Sequence, residues 1–131
     1  MYMWIISPKG FLQVGGAVLV LVAILGYFGV IGPTPAGSLF GGAWYFDNAE
    51  NIAHLVLGVV ALAASMWLGG DLQKKLVVLV GAIAVLVGLY SLIGGAMLLG
   101  ANLENPADSL LHLVIGAWAL WAGFKKQGMM M

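Results

Sequence analysis

Ala49-Glu50-Asn51-Ile52-Ala53-His54-Leu55-Val56-Leu57-Gly58 and Ala107-Asp108-Ser109-Leu110-Leu111-His112-Leu113-Val114-Ile115-Gly116 are two versions of one phrase. They contain the only two histidines of the 131-residue chain. In each copy a carboxylate precedes the imidazole by four residues and a glycine follows it by four, so all three line one face of a helix. Each phrase also opens a long apolar run, and that pairing of a polar start with an apolar continuation decides the fold.

Working outward, the apolar runs occupy about 11–31, 49–68, 76–99 and 107–124. Each is close to the roughly 20 residues that a helix needs to cross the hydrocarbon core of a bilayer. With 63% hydrophobic residues, 8% charged residues and a mean hydropathy of +1.07, the chain lies far outside the range of soluble domains. Continuous apolar runs lack the alternation of barrel strands, and no water is available in the bilayer to satisfy open backbone groups. The expected fold is an all-α membrane protein, a four-transmembrane-helix bundle forming one domain over residues 1–131.

The first and third runs also match. Gly16-Ala17-Val18-Leu19-Val20-Leu21-Val22 corresponds to Gly81-Ala82-Ile83-Ala84-Val85-Leu86-Val87, and the register continues to Gly29 and Gly94. The chain therefore reads as two tandem helical hairpins, about 11–68 and 76–124. Two spans per repeat bring both copies into the membrane in the same sense, which gives parallel repeats about an axis along the membrane normal. This internal partner, and a length beyond a signal h-region, argue against reading the first run as a cleaved signal peptide.

All five lysines fall on one side: Lys9, Lys74, Lys75, Lys125 and Lys126. By the positive-inside rule both termini are expected in the cytoplasm, with the protein in the inner membrane. Asp47, Glu50, Glu104 and Asp108 then lie at the outer ends, and the histidines sit on the order of 5–10 Å below that boundary. Asp47 with Glu50, and Asn105 with Asp108, have the spacing of capping pairs, Pro106 suits a first helical turn, and Asp71 is placed to cap the third helix. Trp44, Tyr45 and Phe46 outside, with Trp4, Trp67, Trp118 and Trp121 inside, read as interfacial anchors. The long outer loop over 32–46 reads as an interfacial or re-entrant segment or a partner contact.

Along the histidine face, Gly58 is followed by Ala61 and Ser65, and Gly116 by Ala119 and Gly123. Small residues at this spacing let membrane helices approach closely, so this face is the expected packing seam, with both histidines turned to the bundle interior. Each carboxylate would cap its helix and hold its histidine. Two ligand readings stand beside that one. Glu50, His54, Asp108 and His112 form a candidate nitrogen and oxygen metal site, and His54 with His112 are candidate axial ligands of haem b, with Gly58 and Gly116 clearing space for the macrocycle. The expectation is no cofactor, with a metal ion or haem as alternatives.

Cysteine is absent, which removes thiol nucleophiles and thiolate metal sites, and arginine is absent too. No basic surface exists for nucleic acid. The serines form no triad arrangement, and the middle of the spans is too apolar for an ion path. The expected function is non-enzymatic: an accessory or structural subunit, or a self-assembling bundle, with the lipid bilayer and other membrane subunits as partners. A lipid- or quinone-binding protein, with a cleft beneath the first outer loop, is a further alternative.

Asn51, His54, Leu55 and Gly58, then Asn105, Asp108, His112, Leu113 and Gly116, form an Asn-x-x-His-Leu-x-x-Gly phrase and an Asn-x-x-Asp-x-x-x-His-Leu-x-x-Gly phrase. In this the chain resembles a bacterial family of small four-helix membrane proteins, catalogued as domain of unknown function 4383. The resemblance spans nearly the whole chain and implies the same topology, with these phrases opening the second and fourth helices.

Overall fold

The computed structural model describes residues 2–125, which leaves Lys126 outside the described residues. A short helix α1 (Tyr2–Ile5) leads into α2 (Pro8–Tyr27), followed by α3 (Asn48–Trp67), α4 (Gly70–Leu92) and α5 (Ala107–Phe124). Between α4 and α5 lies a two-stranded antiparallel turn, β1 (Met97–Leu98) with β2 (Ala101–Asn102). Among the described residues, α2, α3, α4 and α5 are each long and apolar enough to cross a membrane. The arrangement is that of a multi-pass membrane protein whose spans are all helical, consistent with a four-helix bundle.

Two spans end earlier than the hydropathy implies. The first apolar run continues to residue 31, but α2 stops at Tyr27, because Gly29 adopts φ 82° and the chain turns out of the helix. The third run continues to residue 99, but α4 stops at Leu92, Gly94 takes φ 115°, and Met97 and Leu98 become a strand. Apolar composition persists beyond each helix, while glycine in the left-handed region terminates it.

Capping also differs between the two outer helix starts. At α3 the expected box forms: Asp47 Oδ1 accepts from the Glu50 N–H at 2.9 Å, and Glu50 Oε1 accepts from the Asp47 N–H at 3.3 Å. At α5, Pro106 occupies the N-cap and Asn105 does not pair with Asp108. Asp108 reaches one residue further back, accepting the Glu104 N–H at 2.9 Å, while Asn105 Nδ2 donates to the Leu92 carbonyl. At α4, Gly69 is the N-cap with no side-chain cap, and Asp71 instead pairs with Lys75 at 3.2 Å on the surface.

The closest packing lies within each hairpin, α2 on α3 and α4 on α5. Gly16 and Gly58 face each other so closely that a Cβ on Gly58 would stand 2.8 Å from the Gly16 carbonyl oxygen. Gly81 and Gly116 repeat the arrangement: a Cβ on Gly116 would meet the Gly81 carbonyl oxygen at 3.0 Å and Val85 Cγ2 at 2.5 Å. Ala61 lies against Gly16, Ala119 against Gly81, and Gly123 against Val78, whereas Ser65 is buried with its hydroxyl on the Leu62 carbonyl. The small-residue seam thus joins the two helices of one hairpin. Because lipid tails are as apolar as the side chains, close backbone approach supplies the van der Waals contact that hydrophobicity cannot. Towards the inner half, Phe11, Leu12, Ala64, Val77, Ala119 and Ala122 form the apolar core shared by all four spans.

Candidate functional site: the outer polar layer

The outer ends of α3 and α5 carry the polar chemistry of the chain. Asp47 is already committed through Oδ1 to its own helix; its Oδ2 accepts the Asn102 N–H at 2.8 Å, across to β2. Glu104 Oε1 accepts the Tyr45 N–H at 3.2 Å, its Oε2 accepts from Asn102 Nδ2, and Asn102 also donates to the Tyr45 hydroxyl. Asp108 is fully buried and accepts from Trp44 Nε1 at 3.2 Å as well as from the Glu104 N–H. Three carboxylates therefore stitch the first outer loop and the start of α3 to the segment preceding α5 and to α5 itself.

Trp44, Tyr45 and Phe46 consequently differ from the membrane anchors expected of them. Phe46 is buried, with its ring edge-on to Trp44 at 5.1 Å and to His54 at 4.9 Å. Ile31 is buried as well, and its carbonyl accepts the Phe46 N–H at 2.7 Å. The loop itself is held by two single turns, Pro35–Gly37 and Gly41–Ala43, and by a bridge between Ile31 and Ser38, leaving Leu39 and Phe40 exposed at its tip.

The histidines do not take the carboxylate partners expected from their spacing. His112 Nδ1 is 2.7 Å from the Asp108 backbone carbonyl, which fixes the proton on Nδ1 and leaves the Asp108 carboxylate to Trp44 and Glu104. His54 Nδ1 is buried and has no hydrogen-bond partner. Both rings are half-buried, and His112 and Asp108 lie near enough to His54 to act on it electrostatically.

Glu50 and Asp108 do come together, but with Glu104 as the third member. One oxygen from each of these three buried carboxylates lies within 4.8 Å of the others. Glu104 lies outside the repeated phrase, so the spacing that singles out Glu50 and Asp108 does not reach it. The described lysines all sit at the opposite helix ends, so none of them is positioned to neutralise this layer. Burial, reinforced by the charges of Asp108 and Asp47, pushes the Glu104 carboxyl up to about 7, against the lowering effect of the Tyr45 N–H. Burial, followed by the charges of Glu104, Asp47 and Glu50, also pushes the Tyr45 phenol up.

Chemically, such an oxygen cluster can accept backbone donors, hold a shared proton, or ligate a hard divalent cation. It does not suit haem. Gly58 is filled by the Gly16 carbonyl and Val20, and Gly116 by Val85 and Gly81, so the clearance proposed for a macrocycle is already occupied by the neighbouring helix. Asn51 belongs to the layer too: it is fully buried, donates to the Phe46 carbonyl at 3.2 Å, and presses its Oδ1 against Gly26 of α2. The chain matches no family model, and no curated protein or solved structure is significantly similar to it.

Proposed function

We propose that this is a non-enzymatic protein of the cytoplasmic membrane that acts through helix contacts, as an accessory subunit of a larger membrane assembly or as a self-assembling bundle. The observation that carries this reading is the commitment of the outer acids. Asp47, Glu104 and Asp108 each accept an N–H from the other side of the outer layer, so the polar chemistry is used to join two hairpins. What remains on the outside is apolar: α3 exposes Ile52, Val56, Val59 and Val60, and α5 exposes Leu110, Val114 and Trp121. Such faces suit lipid or the helices of a partner.

The hairpins are tandem parallel repeats, a reading supported by the recurrence of the Gly16–Gly58 approach at Gly81–Gly116. Kinship with the small four-helix family of the sequence resemblance belongs to the same proposal. Both termini lie in the cytoplasm, supported by the lysines at one set of helix ends. Gentle extraction of tagged protein from native membranes, with mass measured by light scattering, should give a homo-oligomer or a defined complex. Recovery as a lone monomer would reject the proposal. Carboxyl-terminal reporter fusions should be active for a cytoplasmic fluorescent protein and inactive for a periplasmic phosphatase.

A metal-binding reading has one observation in its favour, the approach of Glu50, Glu104 and Asp108. His54 and His112 would then be neighbours of the ion. Elemental analysis of the purified wild type beside Glu104→Gln, His54→Ala and His112→Ala decides it: a stoichiometric metal lost in the variants establishes the site, and a folded, metal-free wild type removes it.

A further inference from the structure

The inner end of the molecule holds a feature that the outer layer does not explain. A cleft of about 390 Å³ opens between the N-terminal ends of α2 and α4 and the C-terminal end of α5. Lys9, Lys74 and Lys125 line it, one from each of these ends, and among the described residues no acidic side chain does. Their neighbour Lys75 lies outside the cleft lining and pairs with Asp71. Lys125 is braced over the Trp121 ring, 4.9 Å from its centroid.

The backbone adds to the same potential. The first turn of α4 has no side-chain cap, and Gly70, which lines the cleft, has nothing within 4 Å of the position a Cβ would take. Its open amide donors and the positive end of the helix dipole therefore point into accessible space. Below them Gln73 is buried, its amide tied to the Ala64 and Ser65 carbonyls, and forms a polar floor. Lys9 and Lys74 beside an uncapped helix start, with Lys125 on the same cleft wall, make a receptor for an anion with several acceptor oxygens.

We infer that this cleft binds the phosphate of an anionic phospholipid headgroup. The depth is appropriate, since the cleft sits where the apolar spans end, and Trp121 lies under the Lys125 side chain that lines it. Basic pockets between transmembrane helices at the cytoplasmic surface are suited to such headgroups. Assignment to the cytoplasmic leaflet rests on the orientation proposed above. The chemistry is shared with soluble phosphate, whereas the exposed Leu72 and Leu79 of α4 and Trp121 and Phe124 of α5 favour a phosphate that carries acyl chains.

Full-length protein in a maltoside detergent would be titrated with dioctanoyl phosphatidylglycerol, dioctanoyl phosphatidylcholine and inorganic phosphate, with bound adducts counted by native mass spectrometry. Saturable one-to-one binding of phosphatidylglycerol is expected, weakened roughly fivefold by Lys9→Gln and again by Lys74→Gln, on the scale of one lysine at an anionic surface. Lys75→Gln should leave it unchanged. Equal binding of phosphatidylcholine, or equal weakening by Lys75→Gln and Lys74→Gln, would overturn the inference. Displacement of the lipid by inorganic phosphate at similar concentration would support the site and reassign its source to a soluble anion. Binding in detergent does not depend on topology, so reporter fusions that reverse the orientation would refute that reading alone.

Discussion

Gly58→Ala tests the packing seam directly. The added methyl would stand 2.8 Å from the Gly16 carbonyl oxygen, 2.8 Å from Val20 Cγ2 and 3.0 Å from the Val20 nitrogen. Two of these three atoms are backbone, so no rotamer change relieves them; α2 and α3 must separate. Restoring ordinary contact at 3.4 Å requires a shift of about 0.6 Å, and gaps of 0.5–1 Å forfeit roughly a quarter to a half of each dispersion contact along the seam. Overpacking of this kind costs about 1–3 kcal/mol, while replacing a mid-helix glycine by alanine returns about 0.5–1 kcal/mol. The expected net loss is on the order of 1–2 kcal/mol.

Gly15→Ala supplies the control from the facing helix. There the nearest atoms are Phe11 ring carbons at 3.9 Å, an ordinary contact, so only the favourable helix term remains. Unfolding of both variants in mixed micelles, followed by circular dichroism as sodium dodecyl sulfate is added, should place Gly58→Ala below the wild type and Gly15→Ala at or above it. Equal midpoints for the two variants would refute the claim that backbone approach at Gly58 sets the hairpin geometry.

Three other outcomes follow from the outer layer. Asp108→Ala leaves the Trp44 indole N–H and the Glu104 N–H without acceptors and should destabilise by about 1–3 kcal/mol per buried donor, with Asp108→Asn milder; wild-type thermal midpoints in both would contradict a stabilising role for these two bonds. Glu104 has its folded-state pKa raised to about 7 from 4.5, so its contribution to stability is complete below about 4.5 and is lost as the pH rises through about 7; Glu104→Gln should flatten the fall in thermal midpoint across that window, and an unchanged slope would assign it elsewhere. Gly26→Ala would bring a Cβ within 1.9 Å of Asn51 Oδ1 and should be among the more damaging single changes; adding Asn51→Ala should recover part of the loss, and strict additivity of the pair would count against their contact.

The site was only partly legible in the chain. Glu50 and Asp108 are conspicuous because each opens an apolar run, and the structure does bring them together. Glu104 lies in a connection with no periodicity, and nothing local signals that its carboxylate receives the Tyr45 N–H. The i,i+4 spacing suggested that Asp108 holds His112 through its side chain; the helix does place them together, but the backbone carbonyl takes the imidazole because the carboxylate is claimed from across the layer. Likewise, small residues at Gly58 and Gly116 announce a close approach without naming the neighbour, which proves to be α2 for one and α4 for the other.

By itself the sequence determined the helices and their number of spans, because a bilayer obliges each segment to satisfy its own backbone and apolar length is a local property. It also determined the α3 capping box, a contact between residues three apart. Only the tertiary structure decided the outer layer, where Trp44 meets Asp108, Tyr45 meets Glu104 and Asp47 meets Asn102 across 55 to 64 residues of chain. Those partnerships depend on how far each helix is rotated about its axis and how deeply it sits against its neighbour, and spacing along one strand of sequence carries neither quantity.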